Sequence, residues 1–386
     1  MAEVQQNRVQ MGGYSAFLPP PLPPVLVWTP RLIRALSDSD RLIGKLAGEG
    51  GRLPNPHLLM RPFLQREAVL SSKIEGTQAT LGELLAVEAG AVVERSPDDL
   101  REVGNYVAAL EHGIALLKEL PICVRLIREL HRTLMTGVRG HNAAPGEFRT
   151  IQNWIGKPGS TLTTATYIPP PPGEVAPCLA AWETFLHQSE LPPLVTIALA
   201  HYQFEAIHPF LDGNGRIGRL LITLFLIEKN ILPTPLLYLS AFFEASRSEY
   251  YESLRAVSER SAWADWVEYF LLGIARMSED ALSRTTRIND LLTKWRIVAA
   301  SEPDGRSTQA PLRIVEMLSA NPFITTNGVA AALKIAFTTA QRAIERLERN
   351  GIVLQTSDAK RSKVYCAQAL LDILEEPAHL TPTSDQ

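Results

Sequence analysis

An all-α protein, interrupted by one β-hairpin and closed by a small mixed unit, is what this sequence predicts, and three observations carry that prediction. Apolar residues recur at helical spacing over most of the chain. One stretch, residues 145 to 172, alternates instead, with "FRTIQNWIG" and "TLTTATYI" joined by "KPGS". Beyond residue 306 the order changes to three short helical patterns followed by a two-stranded ribbon.

The chain has 386 residues, more than one hydrophobic core usually supports, so two or three structural units are expected. A formal net charge of -3 gives no whole-chain reason for nucleic acid or membrane binding, and any such partner must be argued from a local patch. The opening "MAEVQQNRVQMGG" lacks the basic segment and apolar run of a secretory signal. The most apolar run, Leu220 to Ile227, is far shorter than a bilayer span. Cys123, Cys178 and Cys366 are odd in number and widely separated, which suggests neither a disulfide framework nor a zinc site. The expectation is a cytoplasmic protein with no membrane contact.

In chain order, "PPPLPP" at residues 19 to 24 forbids a helix and favours an extended tether on the protein's own surface. Helical patterns then run from Leu26 to about Leu120, broken at "EGGRLPNP" and "RSPDD". Another begins with "CVRLIRELHRTLM". After the alternating stretch, "VAPCLAAWETFLHQ" and "LVTIALAHYQFEAIHPF" return to helical spacing, the second delivering His208 at its end. "RIGRLLITLFLIEKN" is apolar on nearly every face, the pattern of a helix buried within a bundle. "RSEYYESLRAVSE" and a long run from "WADWVEYF" to "KWRIV" complete the helical part, and "SEPDGRSTQAP" reads as a linker.

The chemistry concentrates in residues 208 to 219, "HPFLDGNGRIGR". Gly213 and Gly215 allow a loop whose N–H groups face one point just before a helix begins near Arg216. Such N–H groups, backed by the positive end of the helix dipole, form an anion site. Arg216 and Arg219 stand three apart, so both can project from the first helical turn toward phosphates. Asp212, just before the glycines, is placed to hold Mg²⁺ bridging phosphate oxygens. His208 has an ordinary pKa that leaves neutral imidazole near pH 7, able to take a proton from an attacking hydroxyl. The stretch is not a P-loop, because it lacks the lysine and hydroxyl residue of that motif.

These residues resemble the signature of the Fic family, H-x-F-x-[DE]-G-N-G-R-x-x-R, at every fixed position. The resemblance implies a helical Fic core that acts as a nucleotidyltransferase, a protein adenylyltransferase that moves AMP from ATP to a Ser, Thr or Tyr hydroxyl of a target protein and releases pyrophosphate. It implies His208 as base and Asp212 as Mg²⁺ ligand. It also implies that Gly213, Asn214, Gly215, Arg216, Ile217, Gly218 and Arg219 hold the nucleotide's phosphates. The hairpin would be the flap that aligns the target hydroxyl. "YLSAFFEASRSEYYESL" would lie near the base, with Tyr250 among the nucleotide-binding residues. A homodimer is expected from its frequency among relatives.

"LSSKIEGTQAT", residues 70 to 80, resembles the family's inhibitory motif, [ST]-x-x-x-E-[GN], through Ser71, Glu75 and Gly76. The resemblance implies that Glu75 pairs with Arg219 and competes with the γ-phosphate for it. In some relatives the same glutamate serves removal of AMP from the modified target. Ser72-x-x-Glu75 also fits a capping box at a helix start. The two differ in geometry: capping puts Gly76 inside a first helical turn, whereas inhibition puts it just past a helix end, where glycine is favoured.

The C-terminal pattern resembles a winged helix-turn-helix. Between Ser307 and Cys366 eight Lys or Arg face four Asp or Glu. "TTAQRAIERLERN" would be the recognition helix, with Thr338, Thr339, Gln341 and Arg342 near its start and Lys360, Arg361 and Lys363 at the wing, which makes DNA an expected partner alongside protein docking. The expected division is an N-terminal helical region at 1–115, a Fic core with flap at 116–275, a helical linker at 276–306 and the winged helix with its tail at 307–386. The competing reading is a DNA-binding regulator whose Fic core only senses nucleotide.

Overall fold

The structure is a computed structural model that describes residues 7–52, 56–138, 144–157, 159–301, 309–356 and 363–378. It opens on a hairpin of β1 (Arg8–Met11) and β2 (Tyr14–Phe17), in which Met11 pairs with Tyr14 across Gly12 and Gly13. This hairpin is absent from the sequence reading, although a Gly-Gly turn between alternating residues is a hairpin signal. The proline-rich segment follows without regular structure, and Gln203 Nε2 donates to Pro20 O at 2.9 Å, so the segment does lie on the helical body.

The helical body comprises α1 (Pro30–Arg52), α2 (Pro56–Ile74), α3 (Leu81–Glu88), α4 (Pro97–Leu116), α5 (Val124–Leu134), α6 (Pro172–Gln188), α7 (Pro193–Ile207), α8 (Asn214–Glu228), α9 (Ser240–Ala245), α10 (Arg247–Arg260) and α11 (Trp263–Ala300). As their composition requires, α7 and α8 are buried on nearly all sides. Two indoles pin α7: Trp182 Nε1 donates to Ala200 O and Trp266 Nε1 to Ala198 O, each at 2.8 Å. Gly113 on α4 lets the helices close up, since a β-carbon there would meet Leu224 of α8 at 2.7 Å. The 38 residues of α11 run without a break through residue 275, where the sequence reading ends the core. Its first half packs along α1, and its second half carries Ile288, Leu292 and Trp295 toward the C-terminal unit.

That unit is a winged helix: α12 (Gln309–Ala320), β3 (Phe323–Thr325), α13 (Thr326–Leu333), α14 (Phe337–Arg349), β4 (Leu354–Gln355), β5 (Val364–Cys366) and α15 (Gln368–Glu375). The strands order as β3-β5-β4, all antiparallel. The sequence reading names the three helices and the ribbon but neither β3 nor α15. Lys360 and Arg361 lie outside the described residues, and Lys363 is exposed.

The alternating stretch is a correction. Among the described residues the expected two-stranded ladder is reduced to one antiparallel bridge, Ile155 with Tyr167. Backbone and side-chain partners lie elsewhere: Arg149 N–H donates to Pro209 O, Trp154 Nε1 to Ser160 O, and Thr161 N–H to the Thr164 hydroxyl. The segment is a tethered loop closed by one bridge, and a run of prolines at 169–172 leads it into α6. Among the described residues no helix is long and apolar enough to cross a membrane.

Candidate active site

His208 caps α7 in a left-handed conformation, φ 49°, which stops the helix and turns the chain. Its carbonyl accepts from Arg149 Nε at 2.9 Å, and Arg149 also donates to Pro170 O at 2.5 Å. Burial pushes the imidazole pKa down to about 4, against the opposing pull of the Glu205 carbonyl. The ring is therefore neutral at pH 7.

The loop between α7 and α8 is tied shut. Asn214 Oδ1 accepts the Phe210 N–H at 2.8 Å, while its Nδ2 and that of Asn153 both donate to Phe210 O at 2.9 Å. Phe210 is fully buried and stacks on His131, centroids 3.7 Å apart and planes within 3°. His131 Nδ1 accepts the Gly146 N–H at 2.8 Å and Nε2 donates to Asp212 O at 3.0 Å, so one neutral tautomer satisfies both. Gly213, at φ 76°, starts α8 where a β-carbon would meet Met135 Sδ at 3.1 Å.

Sequence reasoning missed His131, Arg149 and Asn153. A histidine on the apolar face of "LIRELHRTLM" was the available signal for the first. His131→Ala removes two hydrogen bonds and a ring stack, and is expected to cost about 2–4 kcal/mol of stability in urea unfolding. Amide exchange should accelerate at Asp212 to Asn214.

Both signature arginines are buried and face carboxylates. Arg216 Nη1 lies 3.1 Å from Glu102 Oε2 on α4, and Nη2 is 3.8 Å from Asp212 Oδ1. Arg219 donates from Nε to Ser71 Oγ at 2.9 Å, and from Nη2 to Ser71 O at 3.0 Å and Glu75 Oε1 at 2.6 Å. The Arg219 side chain is 2% exposed and that of Glu75 36%. Burial raises the Glu75 pKa, but the Arg219 charge and hydrogen bond, aided by Arg216, outweigh it and hold the carboxyl below its usual value. Glu75 Oε1 also sits so close to Gly215 that a β-carbon there would overlap it, which puts the carboxylate over the first turn of α8.

The local geometry excludes a capping box at "SSKIEG". Glu75 follows the last residue of α2, Gly76 has φ 107°, Gly76 N–H donates to Lys73 O at 3.1 Å and Thr77 N–H to Ser72 O at 3.2 Å. This is a Schellman ending with glycine at C′. A capping box does exist nearby, but Thr80 and Glu83 make it at the start of α3.

Ile217 and Gly218 are buried in α8, Gly218 against Phe204 of α7. Tyr250 is buried behind the arginines: its hydroxyl donates to His201 Nε2 at 2.9 Å, while His201 Nδ1 donates to Gly218 O at 3.1 Å. The neighbouring Tyr251 faces a cavity of about 570 Å³ between the tethered loop, the end of α7 and α10, which Ile155, Tyr167, Glu205, Arg247 and Ser258 also line. The Asp212 side chain is 59% exposed, with Oδ1 accepting the Gly213 N–H at 2.6 Å. No group of three or more metal-ligating side chains occurs among the described residues. One accessible carboxylate beside an anion cradle suits Mg²⁺, which is held by few carboxylates together with phosphate oxygens and water.

Fold and site together define a helical protein built around a histidine-led glycine loop at a helix start, with a winged helix attached. Residues 33–115 match the Fic/DOC family N-terminal region, 121–226 the Fic/DOC family, and 309–353 a winged helix-turn-helix DNA-binding region. The chain thus carries a Fic N-terminal region and a Fic region in succession, followed by the winged helix. It is 33% identical over 192 residues to Protein adenylyltransferase Fic of Drosophila erecta, covering 48% of this chain and 35% of that protein. The Drosophila melanogaster protein of that name is 32% identical over 192 residues, covering 48% and 36%. The chain thus spans about a third of the length of these curated relatives. A Fic family protein from Desulfovibrio desulfuricans shares the fold at TM-score 0.60 and 21% identity, covering 95% of this chain and all of that one. Fic-1 from C. elegans aligns at TM-score 0.52 and 25% identity, covering 68% and 74%.

Proposed function

We propose that this protein transfers AMP from ATP to a hydroxyl side chain of a target protein and that Glu75 restrains the reaction. The single observation that carries the reading is the joint presence of a neutral, half-buried His208, the Gly213–Gly215 turn and two arginines on one helical turn. Bound ATP would lay its phosphates on the α8 N-terminus, with Arg216 and Arg219 as clamps and the nucleoside in the cavity beside Tyr251. The target oxygen attacks the α-phosphorus, His208 takes its proton, and the bond to the β-phosphate breaks to release pyrophosphate. Asp212 would hold Mg²⁺, which when bound neutralises charge on the phosphates. His131, Arg149 and Asn214 keep the loop fixed, so that His208 and the cradle need not reorganise.

With Glu75 on Arg219, a γ-phosphate loses its clamp and meets a like charge, which displaces the α-phosphate from in-line attack. The test uses labelled ATP and cell lysate. Glu75→Gly protein is expected to label its targets at least about tenfold faster than the intact protein, as expected for loss of a competing charge-assisted pair. Mass spectrometry would then identify adduct and acceptor, and equal labelling by both proteins would overturn the inhibitory role.

The low pKa of His208 fixes a pH signature. The base is neutral above about 4 and protonated below it. Transfer by Glu75→Gly protein should therefore be flat from about pH 5.5 to 8 as far as the base is concerned, and decline only as pH falls toward about 4. An inflection near pH 6.5 that disappears in a His208 variant with residual activity would contradict this.

A second activity rests on a separate observation. Thr338, Thr339, Gln341 and Arg342 are all exposed at the start of α14, the helix that enters the major groove in winged-helix proteins. Full-length protein is expected to shift duplex DNA with an affinity that weakens steeply with salt, and Arg342→Ala should flatten that slope. No shift at low salt would leave the winged helix as a protein-docking module.

A further inference from the structure

Glu205 occupies the last turn of α7, three residues before His208, and none of the chemistry above uses it. Its carboxylate lies so close to Gly218 that a β-carbon there would overlap Oε1. Oε1 is buried and has no hydrogen-bond partner among the described residues. Buried polar atoms of this kind ordinarily have a partner, because leaving one desolvated and unpaired is costly. Burial raises the Glu205 pKa to about 7, with Arg219 opposing and Glu75 adding to the rise. The side chain is thus a latent hydrogen-bonding group placed between two regions.

One of those regions is the anion cradle: Gly218 and Arg219 belong to the α8 turn that would hold phosphates. The other is the 570 Å³ cavity, which Glu205 lines. A nucleotide with phosphates on the cradle and its base in the cavity has its pentose at the junction. The neighbouring hydroxyls on α7 and the tethered loop are already engaged, Tyr202 with Ser258 Oγ at 2.8 Å and Tyr167 with Ala206 O at 2.8 Å. A carboxyl group is a well-suited acceptor for the hydroxyls of a ribose.

The geometry points to Glu205 as a specificity-determining residue that accepts a hydrogen bond from a ribose hydroxyl and so selects ribonucleotides over deoxyribonucleotides. This inference rests on the nucleotide reading of the site. It requires no bond making: the hydroxyl supplies the hydrogen and Glu205 the lone pair. Filling the acceptor at Oε1 would also remove the unpaired buried atom, so the ligand completes an arrangement that the protein alone leaves open.

The test compares ATP, 2′-deoxy-ATP and 3′-deoxy-ATP on full-length Glu75→Gly protein, with Glu205 retained, replaced by alanine, or replaced by glutamine. Affinity is read by calorimetry and transfer by steady-state kinetics. Glu205→Ala is expected to weaken ATP binding about tenfold while leaving at least one deoxynucleotide unchanged, so that the preference between them collapses. The turnover number should stay within about threefold, the mark of an interaction made equally in ground and transition states. Glu205→Gln, which keeps an acceptor oxygen and the shape, should restore most of the preference. The inference is overturned if the three proteins discriminate equally, if alanine weakens all three nucleotides alike, or if the Glu75→Gly protein binds no ATP. Binding with the expected discrimination but no transfer would instead remove the adenylyltransfer reading and leave the ribose contact standing.

Discussion

In a Glu75→Gly background, His208→Ala is expected to lower transfer of labelled AMP by about 10²–10⁴-fold, the usual range for a positioned general base. ATP affinity should change little, because the clamp arginines and the α8 N-terminus remain. The expectation follows from the neutrality of the ring and from its fixed approach: the left-handed turn at His208 and the Arg149 bond to its carbonyl set the backbone from which the imidazole projects. Single-turnover labelling with saturating ATP measures the chemical step, and calorimetry measures binding separately. A variant that transfers AMP as fast as its parent would sink the assignment of His208. The same experiment separates the two functional classes, since a regulator that only senses nucleotide would show no transfer in either protein while retaining any DNA binding.

What the sequence made legible was what depends on local order. Residues 208 to 219 are contiguous, and their spacing alone puts a base, a carboxylate, a glycine turn and two arginines around the start of one helix. The partners of that stretch were less visible because tertiary packing supplies them. Glu102 reaches Arg216 from 114 residues away, and His131 reaches the Asp212 carbonyl from 81. Glu75 became legible only through family resemblance; from spacing alone, Ser72-x-x-Glu75 fits a capping box as well, which the end of α2 at Ile74 and the positive φ of Gly76 exclude. The expected flap strands failed for a complementary reason. Alternation predicts which side chains could share a face, but a ladder also needs free backbone partners, and here Arg149, Asn153 and the Thr161–Thr164 turn bind elsewhere.

The largest stability effect is expected at a site remote from the chemistry. Asp280 and Arg284 form an ion pair on α11 at 2.7 Å, with side chains only 1% and 2% exposed, and Tyr238 donates its hydroxyl to the same carboxylate. Arg284 also donates to Ile373 O, to Glu376 O at 2.8 Å and to Pro377 O at 2.9 Å, and Arg66 on α2 bonds Leu374 O and, at 2.6 Å, Glu376 O. Two cations therefore cap the end of α15, tying the winged helix to α11 and to α2, the helix that ends just before Glu75. Asp280→Ala takes from the buried Arg284 its close carboxylate partner, leaving Glu376 Oε2 at 3.8 Å, and is expected to cost about 3–5 kcal/mol, far more than loss of an exposed pair. Because the protein has more than one unit, the loss is best read as faster amide exchange across α15 and as an earlier first transition in urea. A double replacement, Asp280→Leu with Arg284→Met, should recover the cost of the poorly paired buried charge but not the capping of α15. Amide exchange in α15 should thus remain fast while overall unfolding returns toward that of the parent. If Asp280→Ala alone costs less than about 1 kcal/mol, the pair is not what holds the C-terminal helix against the body.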